Sequence, residues 1–195
     1  MQILQLAELI ETPWRNGGGV TRGIATGVVS DRVAWTISRA DVARDGAFSD
    51  FSGMERVLTV VSGGAMRLEG PDVAFDAVPW APVRFDGGLP IVARLRDGPL
   101  TDLNLMFDPT LCSGDVVTRR GPGGQGASCP QRGLLAYHVL SGAPQVGARA
   151  LGVGDTLFME PADQAPVLGH GDAVLEIRLS YRGQSDAIKL RIAAR

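Results

Sequence analysis

Apolar residues in this chain recur at every second position far more often than at helical spacing. Between Val174 and Tyr181, Leu175, Ile177, Leu179 and Tyr181 fall on one side and Glu176, Arg178 and Ser180 on the other. Ile188, Leu190 and Ile192 alternate with Lys189 and Arg191 in the same way. Successive side chains of a strand point to opposite faces of its sheet, so this alternation predicts strands with one face turned to a core. Arg56–Ser62, Thr101–Phe107 and Leu134–Ser141 are further runs of strand length, and Met66–Glu69, Val83–Phe85 and Ile91–Leu95 are shorter ones. Ser62-Gly63-Gly64, Asp86-Gly87-Gly88, Asp97-Gly98-Pro99 and Ser141-Gly142-Ala143-Pro144 separate them and read as turns. With 26 glycines and 12 prolines, many short connections and few long helices are expected. The fold class predicted is all-β, a sandwich or barrel.

The rhythm occurs twice. Leu151-Gly152-Val153-Gly154-Asp155-Thr156-Leu157 reads as a hairpin turn leading into a strand that continues to Met159 and, after a short loop, resumes at Ala173. Two comparable barrels in one chain account for its length. The expected organisation is a first barrel over 1–120, a glycine-rich loop or linker over 121–133 and a second, smaller half over 134–195. Gly121-Pro122-Gly123-Gly124-Gln125-Gly126 marks the break and is too rich in glycine to pack well. It also satisfies G-x-G-x-x-G, but that fingerprint needs a helix directly after it to hold a pyrophosphate. Ala127-Ser128-Cys129-Pro130 follows instead, and the dinucleotide reading is rejected.

Composition narrows the partners. Of 195 residues, 45% are hydrophobic and 21% charged, the balance of a soluble globular protein. A net charge of −2 gives no electrostatic basis for nucleic-acid binding. No apolar run approaches the roughly 18 to 20 residues that span a bilayer, so no membrane partner is expected. Met1–Glu11 has no basic segment of the export type, and two isolated cysteines, Cys112 and Cys129, read as free thiols, so a cytoplasmic location is expected. Lys189 is the sole lysine against 18 arginines, which suits bidentate carboxylate recognition and equally a coding bias.

Familiar catalytic signatures are missing. His138 and His170 are the two histidines, 32 residues apart, and neither has a second metal ligand at useful spacing; no metal and no cofactor are expected. There is no G-x-S-x-G nucleophile elbow and no G-K-[ST] phosphate loop. What stands out is Pro13-Trp14-Arg15-Asn16-Gly17-Gly18-Gly19-Val20-Thr21-Arg22, which packs an aromatic, two guanidinium groups, an amide and a hydroxyl around three consecutive glycines. Ordering three glycines is costly, and tight geometry or close approach of the backbone to a ligand would explain it. Ala34–Ala40 is a strand with polar side chains, and Gly46–Arg56 places two aromatics in a loop entering a strand. Asp102, Asn104 and Met106 share one face of a strand whose other face carries Leu103 and Leu105. Inside a barrel those polar groups need partners, either a ligand or a structural network with Arg56 and backbone amides.

Taken together, these stretches resemble the HutD/Ves family, small proteins with a double-cupin (bicupin) fold. The resemblance runs through Pro13–Arg22, Trp35–Ser38, Gly46–Ser49, Glu55–Leu58, Phe85–Gly87 and Asp102–Met106; beyond residue 107 only a general cupin rhythm matches. Gly23, Ser52 and Glu55 depart from it, where the family commonly has a polar or acidic residue, a proline and an aspartate. The family is associated with bacterial histidine utilisation. The resemblance implies a metal-free pocket in the first cupin that binds a small carboxylate, such as a formylated glutamate. It places Arg56 on a ligand carboxylate and Asn16 on an amide or formyl oxygen. Asp102 and Asn104 would orient the arginine or accept ligand N–H groups, Phe48 and Met106 would wall the site, and Thr21 and Ser38 would complete it. Arg15 and Arg22 suit the site or the surface equally. Two alternatives stay open: a metal-independent isomerase or hydrolase with Asp102 as acid–base group, and a protein-interaction module with a vestigial pocket. Pairing into a homodimer also stays open.

Overall fold

The alternating runs form strands in the computed structural model, which describes residues 1–123, 126–182 and 188–193. In chain order the strands are β1 (Gln2–Leu4), β2 (Glu11–Pro13), β3 (Gly19–Val29), β4 (Arg32–Val42), β5 (Gly46–Ala47), β6 (Glu55–Glu69), β7 (Ala74–Ala77) and β8 (Val83–Asp86). They continue with β9 (Val92–Phe107), β10 (Cys112–Arg120), β11 (Gly133–Ser141), β12 (Gln145–Val146), β13 (Arg149–Ala150), β14 (Thr156–Met159), β15 (Ala173–Tyr181) and β16 (Lys189–Ile192). A single 3-10 turn at Leu6–Glu8 is the helical element among the described residues. No helix there is long and apolar enough to cross a membrane.

A nine-stranded sheet runs β16-β3-β4-β9-β6-β7, with β2 beside β3, β5 beside β9 and β8 beside β6. A five-stranded sheet runs β1-β14-β11-β15-β10, and β12 and β13 form a separate hairpin. Strand pairing crosses the boundaries expected from sequence. β10 precedes the glycine-rich segment yet pairs with β15 over nine residue pairs, from Cys112↔Tyr181 to Arg120↔Ala173. β1 pairs with β14, while β16, from the far end of the chain, pairs with β3 of the larger sheet.

The two sheets share one apolar core. Trp35, Ile37, Leu103, Leu105 and Phe107 from the larger sheet meet Val116, Leu134, Phe158, Leu175, Ile177 and Leu179 from the smaller. Trp35 is fully buried, and its indole N–H donates to the Tyr181 hydroxyl at 3.2 Å, tying the sheets together. Each sheet also covers a core of its own: Leu58, Met66, Phe85 and Ile91 under the first, and Leu135, Tyr137, Leu157 and Val174 under the second. β15 is therefore covered on both faces. Glu176, expected on an outward polar face, is only 3% exposed and forms ion pairs with Arg119 and Arg178. Within the shared core region His138 is fully buried, and its Nδ1 lies 2.9 Å from the Thr156 hydroxyl. Burial, with Arg39 adding to it, pushes the imidazole down to about 3, so it is neutral at ordinary pH.

Two glycine-bearing segments read as turns are bulges instead. Ser62-Gly63-Gly64 lies within β6 and Asp97-Gly98-Pro99 within β9, and the two strands pair along their length with register shifts at Val60/Ser62 and Gly63/Ala65. An extra residue in one strand bends it and strengthens its twist, so both strands turn a corner without ending. On either side of the corner β9 changes partner from β5 to β4 and β6 from β8 to β7, which curls the sheet into a barrel wall. The glycine-rich segment after β10 also packs more closely than expected. A Cβ at Gly121 would stand 2.0 Å from the Gly169 carbonyl oxygen, and Gly123 exchanges two backbone hydrogen bonds with Leu168. Glycine there permits backbone contact; Gly124 and Gln125 lie outside the described residues.

Gly63 has φ +85°, and a Cβ there would meet the Pro99 carbonyl oxygen at 2.5 Å and the Leu100 Cα at 2.8 Å. Gly63→Ala is expected to lower unfolding free energy by about 2 kcal/mol or more, because both the left-handed backbone and the contact are unfavourable. Urea denaturation checks this; a midpoint equal to wild type would show that the bend does not need glycine.

Candidate functional site

Alternation along three neighbouring strands gathers the polar side chains. On β9, Leu103, Leu105 and Phe107 point into the shared core, so Asp102, Asn104 and Met106 face the other way. Register then brings Ser38 of β4 opposite Asn104 and Ala40 opposite Asp102, while Arg56 of β6 lies opposite Met106. Thr21 of β3 pairs with Ala40 and extends the same row. Cross-strand neighbours on one face lie within about 5 Å at Cβ, so these groups must share an environment.

They line a cavity of about 380 Å³. Asn16, Thr21, Ser38, Phe48, Arg56, Asp102, Asn104 and Met106, all singled out from sequence, are in its wall, together with Trp14, Arg15, Ala40, Ala47, Ser49 and Phe51. The ambiguous arginines separate. Arg15 lines the cavity, whereas Arg22 is clamped between Asp41 and Glu11 and belongs to the strand surface. The two alanines could not have been found by looking for chemistry. Trp14, Ser49 and Phe51 lay within the stretches that drew attention, but no local pattern assigned them a wall.

Arg56 is 7% exposed and forms the floor. Its Nε donates to Asn104 Oδ1 at 2.7 Å, and the Asn104 amide in turn donates to Asp102 Oδ1. The guanidinium carbon stands 4.3 Å from the Phe48 ring centroid and 5.5 Å from that of Phe85, so two aromatic rings lie within cation–π range of the charge. Its terminal nitrogens have no hydrogen-bond partner among the described residues. Burial lowers Arg56 to about 10, which leaves it charged at neutral pH. Burial likewise raises Asp102 to about 6, against the opposing pull of Arg56 and the Asn104 hydrogen bond. The sequence left a ligand and a structural network as rival partners for these groups. Both Asn104 contacts are structural, and the outer edge of the arginine is open to the cavity.

The glycine-rich entry stretch supplies the rim. The Trp14 indole donates to Thr21 Oγ1 at 2.7 Å, leaving the hydroxyl hydrogen of Thr21 free to donate. Asn16 Oδ1 accepts from the Gly18 amide at 2.8 Å, closing a turn in which Gly17 has φ +66°. That bond uses the carbonyl oxygen of the side chain and turns its NH₂ into the available donor. Donors therefore outnumber acceptors in the cavity: the Arg56 fork, Arg15, the Asn16 amide and the hydroxyls of Thr21, Ser38 and Ser49 face one carboxylate. Among the described residues no cluster of three or more His, Cys, Asp or Glu side chains could hold a metal ion.

Because the folded state binds a proton at Asp102 below about pH 6 while the unfolded state does so only near 3.8, this group favours folding at low pH and that contribution is lost as pH rises from 4 to 6. Asp102→Asn removes the titration. The variant is expected to gain stability relative to wild type between pH 4 and 6, at up to about 1.4 kcal/mol per pH unit. Urea unfolding at several pH values measures the difference; parallel curves for the two proteins would refute the assignment.

With the geometry established, comparisons place the chain. The family model described as HutD matches residues 6–175. A Pseudomonas putida relative, an uncharacterized 21.2 kDa protein in the hutC 3′ region, is 34% identical over 117 residues, 56% of this chain and 59% of that protein, so the match spans less than two thirds of the relative. Protein Ves of Citrobacter koseri is 32% identical over 154 residues, 77% of this chain and 78% of Ves. The structure of HutD from Pseudomonas fluorescens SBW25 superposes with a TM-score of 0.78 at 26% identity, covering 93% of this chain and 99% of that one. Bacillus subtilis oxalate decarboxylase shares the fold alone, at a TM-score of 0.57 and 8% identity, and marks the architecture as cupin-like. The matched span takes in every wall residue of the cavity, and the chain belongs to the HutD family.

Proposed function

We propose that this protein binds a small carboxylate in the cavity of its larger sheet and thereby senses or modulates histidine, or more broadly amino-acid, catabolism in the cytoplasm. One observation carries the reading: a buried, charged arginine whose Nε is held by Asn104 and whose guanidinium lies beside the Phe48 and Phe85 rings, with its terminal nitrogens open to the cavity. A guanidinium fork so oriented suits a carboxylate, which it can meet with two parallel hydrogen bonds. The Asn16 amide and the Thr21 and Ser38 hydroxyls supply neutral donors for a carbonyl oxygen on the same molecule. A formylated glutamate combines these features in a size the cavity accepts. The catabolic setting draws on the position of the Pseudomonas putida relative in the hutC 3′ region.

A second reading rests on Asp102. A buried carboxyl raised to about 6 at the wall of a cavity has the acidity of a general acid–base group, as a metal-independent isomerase or hydrolase would use. Accumulation of a chemically changed acid on incubation with chelator-treated protein, abolished by Asp102→Asn, would establish it. Binding without any change in the ligand is the outcome expected here.

Titration calorimetry with N-formylglutamate is expected to show saturable binding by the wild-type protein. Arg56→Ala should weaken it by about 30-fold or more, the scale of losing a charge-assisted bidentate contact, and Asn16→Ala by about fivefold. Circular dichroism of both variants controls for folding. A folded wild-type protein that binds neither N-formylglutamate nor related pathway acids would sink the proposal.

A further inference from the structure

Two guanidinium groups face the cavity of the larger sheet, and one of them still lacks a role. Arg56 forms the floor, while Arg15 lines the open end, is exposed, and has no hydrogen-bond or ion-pair partner among the described residues. Resting on the reading of this cavity as a carboxylate site, we propose that Arg15 determines its specificity by receiving a second carboxylate. The ligand class is then the short-chain dicarboxylates rather than monocarboxylic acids.

The turn that carries Arg15 is held from several sides. The Gly17 amide donates to the Trp14 carbonyl at 3.0 Å, which makes Arg15 and Asn16 the two central residues of a closed turn. The Trp14 amide donates to the Gly19 carbonyl at 2.9 Å, and the Ala43 amide to the Gly18 carbonyl at 2.9 Å, docking the turn against the end of β4. Arg44 donates to the Asn16 carbonyl, and the Trp14 indole is tied to Thr21. The glycines permit this close approach: a Cβ at Gly19 would stand 2.1 Å from the Asp41 carbonyl oxygen. The Arg15 backbone is thus fixed before a ligand arrives, and binding has to order only its side chain.

Charge and depth then argue for two carboxylates. Arg56 is buried and Arg15 exposed, so a molecule that engages both must carry an anionic group at each end. Asp102 is the single carboxylate among the wall residues, and one of its oxygens already accepts from the Asn104 amide. A carboxylate arriving at Arg56 favours the protonated form of Asp102, because like charges in one cavity repel. Two positive charges then face the ligand, and a monocarboxylic acid answers only one of them. Ala40, Ala47, Phe48 and Met106 in the same wall suit a short hydrocarbon link between the two ends. A cavity of about 380 Å³ has the size of a small-molecule site.

Titration calorimetry at pH 7 on the whole chain compares glutarate with pentanoate, which has the same number of carbons and one carboxylate fewer. Wild type is expected to bind glutarate about fivefold more tightly, the scale of a charge-assisted contact at a partly open site. Arg15→Gln removes the charge and keeps a long polar side chain. It should bring glutarate down to the affinity of pentanoate, while pentanoate itself changes by less than about twofold. Arg56→Ala should weaken both acids. Equal affinity for the two acids in wild type, or a preference that survives in Arg15→Gln, overturns the role of Arg15 and leaves the carboxylate site standing. A folded wild-type protein that binds neither acid, or binding unchanged in Arg56→Ala, overturns both.

Discussion

The period of two along β9 is the constraint on which the rest depends. Leu103, Leu105 and Phe107 complete the core between the sheets, and their burial fixes which way Asp102, Asn104 and Met106 must face. A slip of one residue against β4 or β6 would place two polar side chains in a dry core and three apolar ones in the cavity. Stability and site geometry thus share one determinant, and neither can change without the other. The indole of Trp35 fixes the arrangement further by reaching across to Tyr181.

That constraint explains how a charged residue is tolerated near the centre of the larger sheet. Burial works against the ionised form of both Arg56 and Asp102. Asn104 lies between them, accepting from one and donating to the other, and lets the pair share a hydrogen-bonded path without direct contact. The carboxylate is left close to the point of protonation while the arginine stays charged. The cavity therefore holds fixed positive charge and one negative charge that varies with mild acidity.

Much of this was legible in the sequence because it is local. Alternation over Val174–Tyr181 and Thr101–Phe107 is a property of adjacent residues, and eight polar or wall positions could be singled out because the stretches containing them are compositionally odd for strands. What escaped was set by distant partners. Gly63 and Gly98 carry the same local signal at a turn or at a bulge; only the pairing of β6 with β9 decides between them. The local glycine content around Gly121 signals flexibility, and only the distant Gly169 backbone packed against it makes it an ordered contact. Glu176 was assigned to solvent because alternation reports that two faces differ, not that both are covered. Alanines at 40 and 47 shape the cavity by being small, and smallness has no chemical signature.

The exchange of strands between the sheets has a bearing on inheritance. β10 and β1 reach into the smaller sheet from the first half of the chain, and β16 returns from the second half to the larger one. Cutting the gene at the glycine-rich segment would strip the smaller sheet of two edge strands and the larger of one, exposing unpaired backbone on both fragments. Neither half is a module that recombination could move alone. Each sheet is completed by strands from the far side of that segment, so the two sheets are inherited as one unit.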